Sequence, residues 1–283
     1  MDRRALVARS TLAGLDARRL TIAAAVGVAC LLAGPHATTL LCALLSEFAL
    51  REFLMRLPTR PADRRAISAA FVVALPLQYA LVWVGRAELL WMVPAFYAAI
   101  VLTAAAMSAP RGEHAMRRAA GIALAVATTV CGLSHAAALA TLALPGADLR
   151  HGALLAWLLL VALLADALQD ACDERIGRHP IAPAACPGKT WEGLAAGAAL
   201  ACAAGAALHG FTPFEARQAA VLALAVVLAG NGGRLLLAAA DRRLGTRARA
   251  AGVGARNGVL ARLDAIAFSA PAFFFLVRFL FQA

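Results

Sequence analysis

Nine apolar runs are spread along the 283-residue chain, and they constrain its fold more than any other feature. The longer runs approach the ~20 residues that a helix needs to cross the hydrocarbon core of a bilayer. Because 62% of the residues are hydrophobic and only 15% are charged, the composition lies far outside that of soluble domains. We therefore predict an all-α, polytopic integral membrane helical bundle of about nine transmembrane or membrane-embedded helices, at 21–34, 38–50, 66–84, 89–107, 119–144, 152–168, 193–210, 218–238 and 264–282.

The arginines orient this bundle, because basic residues close to helix ends favour the cytoplasmic side. If runs 21–34 and 38–50 form a short hairpin broken near Pro35, the arginine clusters lie in every second gap between successive membrane crossings, and thus all on one side. The polar segments 169–192 and 239–263 then also face the cytoplasm. We expect a protein of a bacterial inner (cell) membrane with its functional site on the cytoplasmic side. The clusters contain Arg3, Arg4, Arg9, Arg18 and Arg19; Arg51, Arg56, Arg60, Arg64 and Arg65; and Arg111, Arg117 and Arg118.

The formal net charge of +11 is consistent with a basic face beside anionic lipid headgroups, which we favour over nucleic-acid binding. The six cysteines form no CxxC pair and lie mostly in apolar runs, so neither disulfides nor a zinc site is expected. No repeat or low-complexity linker divides the chain. We predict a single membrane domain over 1–283, with N-terminal helices at 1–165 and a motif-bearing region at 166–283.

Lys189 is the only lysine of the chain, since the other 26 of the 27 basic residues are arginine. It lies in the stretch CPGKTWEG, where proline and glycine exclude a helix just before the next helix is predicted to begin. Free backbone N–H groups and the helix dipole favour an anion at such a place, so a phosphate is one expected partner. A solvated loop lysine is the alternative. A P-loop is excluded, because that motif requires glycine where this chain has Pro183.

Asp166 ends the apolar run LLAWLLLVALLAD and is expected to end its helix at membrane depth or at the interface. A carboxylate there costs about 3 kcal/mol unless it is paired or hydrated. Asp166 is therefore either a hydrated helix cap or a functional group.

The segment from Gly232 onward is rich in arginine and contains several glycines that favour an irregular loop. Its arginines suit the phosphates of a nucleotide or of a lipid headgroup. Anchoring at the cytoplasmic membrane surface explains them equally well. They are Arg234, Arg242, Arg243, Arg247, Arg249, Arg256 and Arg262.

Together these stretches resemble the phosphatidate cytidylyltransferases, also called CDP-diacylglycerol synthases. CPGKTWEG is similar to the S-P-x-K-T-W-E-G element of that family, and NGVLARLDAIAFSAPAFF resembles its C-terminal signature. Upstream, LPLQYALVWV and GLSHA look like one branch of the family. The resemblance implies that CTP and phosphatidate react to CDP-diacylglycerol and pyrophosphate with Mg²⁺, in phospholipid biosynthesis. Membrane lipids are further expected partners, a homodimer is allowed, and no nucleic acid is expected.

The resemblance also assigns roles to residues of both signatures. Two aspartates are the implied ligands of Mg²⁺, and arginines would neutralise the pyrophosphate that leaves. The implied catalytic residues are Lys189, Asp166, Asp264 and Arg262, of which Asp166 and Asp264 would bind metal. The implied substrate-binding residues are Thr190, Glu192, Arg242, Arg247 and Arg256.

Several acidic positions of the family are replaced in this chain. The Gly-Asp pair of the family becomes Gly233-Arg234, whereas Asp166 and Asp264 are retained. Two carboxylates supply too few oxygen ligands for Mg²⁺ unless phosphate oxygens complete the site. Two functional classes therefore stay open: a working cytidylyltransferase, or a non-catalytic relative that acts as a phosphate- or lipid-binding membrane partner protein. A transporter is a weaker third interpretation, because broken helices in corresponding halves are missing.

Overall fold

The computed structural model describes residues 34–107, 112–142, 152–244 and 259–282. Within these ranges the protein is helical apart from one short β-hairpin, which confirms the predicted all-α class. Six helices of the described part are long and apolar enough to cross a membrane. The predicted total of nine is not established, since run 21–34 lies almost entirely outside the described residues.

Eight helices follow one another along the described residues. Six of the predicted runs correspond to the six candidate membrane spans, and two others correspond to helices that are shorter or more polar. The bounds are 34–56 (α1), Pro61–Trp83 (α2), Ala87–Met107 (α3), His114–Thr141 (α4), Ala153–Arg175 (α5), Trp191–Ala207 (α6), Ala216–Leu244 (α7) and Val259–Gln282 (α8).

Helix α5 does not end at Asp166, so the sequence-based expectation for this end was wrong. The helix continues to Arg175, and its last turn is followed by Gly177 and Pro180. The residues after Asp166 are polar but contain no helix breaker. The change from apolar to polar composition therefore does not mark the end of the helix.

A two-stranded antiparallel hairpin joins α5 to α6. Its strands are Pro180–Ala182 (β1) and Cys186–Thr190 (β2), with Pro180 opposite Thr190. Prolines in and between these strands exclude a helix, because proline lacks the N–H donor and clashes with the preceding turn. The hairpin folds the chain back, so that the end of β2 lies beside the C-terminal part of α5.

Helices α5, α6 and α7 pack through small residues, and these contacts fix their directions. A Cβ on Gly197, in the first half of α6, would approach Ala165 O in the second half of α5 to 2.9 Å. Near the end of α6, a Cβ on Gly205 would lie 2.7 Å from Ala223 Cβ in the first part of α7. Helix α6 therefore runs antiparallel to both neighbours. As a result, the C-terminal parts of α5 and α7 lie at the same end of the bundle.

Helix α8 also runs antiparallel to α5. Its residue Phe273 stacks on Trp157, near the start of α5, with the ring centroids 5.0 Å apart. Both rings are almost completely buried. The beginning of α8, which carries Asp264, is thereby directed towards the same end of the bundle as the C-terminal parts of α5 and α7.

Two helices of the N-terminal half each contain a wider, π-helical turn: Ala70–Ala74 in α2 and Val126–Cys131 in α4. Beyond these turns, Gln78 Nε2 donates a hydrogen bond to Ser134 Oγ at 2.8 Å, and both side chains are fully buried. Gln78 lies in LPLQYALVWV and Ser134 in GLSHA. The two upstream stretches that carry the resemblance thus meet inside the bundle.

Candidate functional site

Three aspartates line one face of the C-terminal part of α5. Asp166, Asp170 and Asp173 are spaced four and three residues apart, and such positions stack along one side of a helix. Their exposure differs: the side chains are 30%, 45% and 5% exposed, respectively. The face exists only because α5 continues beyond Asp166.

The single lysine of the chain lies against this acidic face. Lys189, near the end of β2, forms an ion pair with Asp170 Oδ1, and its Nζ lies 3.3 Å from Asp173 Oδ2. Its side chain is only 18% exposed. A partly buried ammonium with two carboxylate partners is not a solvated loop lysine, so that alternative is wrong.

Thr190 and Gly193 fix the start of α6 on Asp173. The backbone N and the Oγ1 of Thr190 both donate to Asp173 Oδ1, at 2.9 and 2.6 Å. Thr190 Oγ1 also accepts from Gly193 N at 3.2 Å, which caps the helix. A Cβ on Gly193 would overlap the Asp173 carboxylate. The hydroxyl of Thr190, implied to bind substrate, is therefore engaged within the protein here.

Glu192, in the first turn of α6, holds the hairpin. Its carboxylate accepts from the backbone N of Arg178 and of His179, each at 3.3 Å, and from the His179 ring. The hydrogen bond from the His179 side chain lowers the pKa of Glu192 to about 2, and the backbone donors add to this. The carboxylate of Glu192, implied to bind substrate, thus contacts His179 and the backbone of Arg178 within the protein.

The C-terminal signature reaches the same end of the bundle through α7 and α8. Arg234 Nη2, on α7, donates to Asp166 Oδ1 at 2.6 Å and to Asn231 Oδ1 at 3.2 Å. Asp264, near the start of α8, interacts electrostatically with Arg234, Asp166 and Lys189. The structure therefore brings Asp166, Lys189 and Asp264 into one cluster, which we call the aspartate cluster; it also includes Asp170, Asp173 and Arg234.

The aspartate cluster has an excess of negative charge, since four carboxylates face one lysine and one arginine. Carboxylate oxygens are suitable ligands for Mg²⁺. No group of three His, Cys, Asp or Glu side chains within the described ranges is arranged to hold a metal ion. Asp166 is engaged by Arg234, and Asp264 Oδ1 accepts from the backbone N of Ala265 at 2.6 Å. The donor chemistry thus fits Mg²⁺, but oxygens of a bound phosphate would have to complete the ligand set.

The remaining residues that the resemblance implied are placed only in part. Arg242 lines a recess of about 400 Å³ with Arg243, Ala239 and Ala185, between α7 and the turn of the hairpin. The backbone of Arg262 belongs to α8, but its side chain lies outside the described part of the structure. Arg247 and Arg256 lie outside the described residues.

Sequence reasoning did not select Asp170, Asp173, Arg234 or His179 as site residues. The first two follow Asp166 at helical spacing, which would have indicated them if α5 had been continued to Arg175. The sequence marks Arg234 as one of several arginines suited to phosphates and as a departure from the family, but it does not indicate the ion pair with Asp166. The partnership of His179 with Glu192 depends on the hairpin, for which the sequence contains no alternating pattern.

Comparison with known proteins gives two findings. Residues 18–280 match the Cytidylyltransferase family, which is nearly the whole chain. Over 153 residues the chain is 33% identical to "Uncharacterized protein YnbB" of Escherichia coli (strain K12), a match that covers 53% of this chain and 51% of that protein. The chain thus spans about half the length of this curated relative, whose name assigns no activity.

Proposed function

The chain belongs to the cytidylyltransferase family, a family of CTP-using transferases, and on this premise we propose that it transfers the cytidylyl group of CTP to phosphatidate. The products are CDP-diacylglycerol and pyrophosphate. The observation that carries the proposal is the aspartate cluster, in which Lys189 of one signature lies within electrostatic reach of Asp264 of the other. Six apolar helices in the described residues agree with a lipid substrate.

In this reaction an oxygen of the phosphatidate phosphate forms a bond to the α-phosphorus of CTP. The bond from that phosphorus to the oxygen bridging the α- and β-phosphates breaks, and pyrophosphate leaves with the electron pair. No proton transfer is needed, so the protein acts by positioning the two phosphates and stabilising their charge.

Lys189 is the group best placed to bind a phosphate. Its partner Asp170 is 45% exposed, whereas Asp173 is 5% exposed and also held by Thr190. An incoming phosphate would displace Asp170, while Asp173 continues to orient the ammonium. The dipole of α6 favours an anion at the same place.

Mg²⁺, where it binds, would be held by Asp166 and Asp264 and would neutralise charge on the triphosphate. Arg234 competes for Asp166, because its guanidinium already occupies one oxygen of that carboxylate. Phosphatidate as the acceptor, Mg²⁺ and the cytoplasmic orientation all belong to this proposal.

One observation favours a second candidate function, a non-catalytic phosphate- or lipid-binding membrane partner protein. Arg234, which stands where the resembled family has an aspartate, neutralises Asp166 and weakens the site for a metal ion. Such a protein would use Lys189 to bind a phosphate but would convert CTP slowly or not at all.

The deciding experiment uses the purified full chain in detergent with CTP, phosphatidate and Mg²⁺, with mass-spectrometric detection of CDP-diacylglycerol. We expect product with the wild-type protein and none with Lys189→Ala or Asp264→Asn. Arg175→Ala, which removes an exposed arginine outside the cluster, is the matched control and should stay active. Nucleotide binding without product, beside an active cytidylyltransferase, would establish the second candidate instead.

A further inference from the structure

A basic recess lies at the end of the bundle where α2 and α4 begin and α7 ends. Its volume is about 220 Å³. No acidic side chain is among the described residues that line it, which include Arg60, Arg117, Arg118, His114, Leu57 and Leu244. Its charge is thus opposite to that of the aspartate cluster.

The recess is built by specific contacts. Asp63, just outside it, accepts from Arg118 Nε at 2.8 Å and from the backbone N of Arg60, also at 2.8 Å. The side chains of Asp63 and Arg118 are both only 14% exposed. One carboxylate therefore ties the turn between α1 and α2 to α4.

The floor of the recess depends on close helix packing. A Cβ on Gly121, in α4, would lie 3.0 Å from Leu57 Cδ2 and 3.4 Å from Leu244 Cδ1. The absence of a side chain there lets the ends of α1 and α7 close over α4. An apolar floor below arginines gives the recess an amphiphilic character.

The surroundings indicate what the recess holds. It lies where three candidate membrane spans have their ends, which is where we expect the lipid headgroups. Met55 and Met116, which are close in sequence to the lining residues Leu57 and Arg117, are 62% and 37% exposed, and their apolar side chains suit contact with an acyl chain. We propose that this recess binds the phosphate of an anionic phospholipid, with arginines around the headgroup and the acyl chains against the apolar surface.

This site is separate from the one proposed for catalysis. Leu244 follows Arg234 by ten residues of α7, which is about 15 Å along the helix axis. A single phosphate cannot contact both places. The proposal therefore stands whether or not the aspartate cluster is catalytic.

The test measures lipid binding by native mass spectrometry of the purified full chain in detergent. The probes are phosphatidylglycerol and phosphatidylcholine with identical acyl chains, neither of which is the proposed substrate. The recess variant is Arg60→Gln with Arg117→Gln. The matched control is Arg64→Gln with Arg65→Gln, which removes the same charge from exposed arginines at the start of α2 that do not line the recess.

We expect the wild-type protein to bind phosphatidylglycerol more tightly than phosphatidylcholine. The recess variant should lose at least about tenfold in phosphatidylglycerol affinity, the effect of one lost charge-assisted hydrogen bond. The control variant should keep the wild-type affinity. Both the recess variant and the control variant should keep the wild-type Tm, because the four substituted arginines are exposed. An Arg60→Lys, Arg117→Lys variant should retain most of the binding.

Three outcomes would overturn the proposal. An equal loss in the control variant would assign the binding to the basic surface as a whole. Equal affinities of the wild-type protein for the two lipids would remove the requirement for an anionic headgroup. Displacement of phosphatidylglycerol by inorganic phosphate at the same affinity would show that the occupant is a soluble phosphate and not a lipid.

Discussion

Lys189 contributes to both the structure and the proposed chemistry, because its two carboxylate partners hold it where a phosphate would bind. We expect Lys189→Ala to weaken CTP binding by about 1.5–3 kcal/mol, the free energy of a charge-assisted hydrogen bond. Lys189→Arg should weaken it less, since the charge remains but the planar guanidinium fits the position of a compact ammonium poorly. Calorimetry in detergent measures both, with Arg175→Ala as the control. If Lys189→Ala binds CTP with the wild-type affinity, Lys189 does not bind the nucleotide and serves only in a structural ion pair.

Gly193 provides a test of the packing between α6 and α5. In most helices Gly→Ala stabilises by about 1 kcal/mol, because alanine has the higher helix propensity. Here the added Cβ would overlap the Asp173 carboxylate, so we expect Gly193→Ala to destabilise by about 1–3 kcal/mol. The control is Gly188→Ala, since a Cβ at Gly188 meets nothing within 4 Å. Thermal unfolding in detergent should show a lower Tm for the first variant only; equal Tm values would contradict the packing.

Arg234 should determine how well the aspartate cluster binds a divalent cation. Arg234→Gln removes a positive charge and frees one oxygen of Asp166, so we expect Mn²⁺ affinity to rise by about tenfold, or about 1.4 kcal/mol. Electron paramagnetic resonance of added Mn²⁺ measures this in the absence of substrate. Arg243→Gln, on the same helix but exposed, is the control. If both variants bind Mn²⁺ as the wild-type protein does, Asp166 is not a metal ligand.

At the scale of elements, the carboxylate of Glu192 links the hairpin to the first turn of α6. Its pKa is lowered to about 2, so its stabilising effect is present above its ordinary pKa of 4.5 and is lost as the pH falls towards 2. We expect the Tm of the wild-type protein to fall over this range more than that of Glu192→Gln, which lacks the titrating group. Parallel pH profiles for the two proteins would show that Glu192 does not link the hairpin to the helix.

The positions of the helices could be predicted from the sequence, whereas the aspartate cluster could be predicted only in part. Apolar runs locate spans well, because burial in lipid requires them. Composition does not mark helix ends, so the extension of α5 that aligns Asp170 and Asp173 with Asp166 was missed. The contact between Arg234 and Asp166 joins residues 68 positions apart and depends on the parallel course of α5 and α7. A local sequence pattern indicates neither a contact between residues so far apart in the chain nor the relative direction of two helices.

At the scale of the whole molecule, the path of α6 determines the topology. At 17 residues, α6 is about 26 Å long, slightly less than the ~30 Å hydrocarbon core. Since it runs antiparallel to α5 and α7, we expect it to cross the membrane nonetheless. The hairpin and the segment His209–Phe211, which follows α6, would then lie on opposite sides.

Cysteine labelling of intact cells tests this topology in a cysteine-free background. Ala184→Cys, in the exposed hairpin turn, should react only after the membrane is permeabilised, because the hairpin is expected in the cytoplasm. Gly210→Cys, where a side chain would meet nothing within 4 Å, should react without permeabilisation. Labelling of both positions under the same condition would contradict a crossing α6, and labelling of Ala184→Cys from outside would reverse the orientation.

The π-helical turn Val126–Cys131 has a consequence for how this chain tolerates changes in length. A π turn holds one residue more than the α-helical turn that would join the same two flanks. Deleting one residue within 126–131 should therefore restore a regular helix and leave Ser134 opposite Gln78. The same deletion in the regular part of α4 would rotate everything beyond it by about 100° and separate this buried pair. Relatives that lack one residue at this point are thus compatible with the same helix packing, and an alignment gap there would record a lost bulge and not a changed fold.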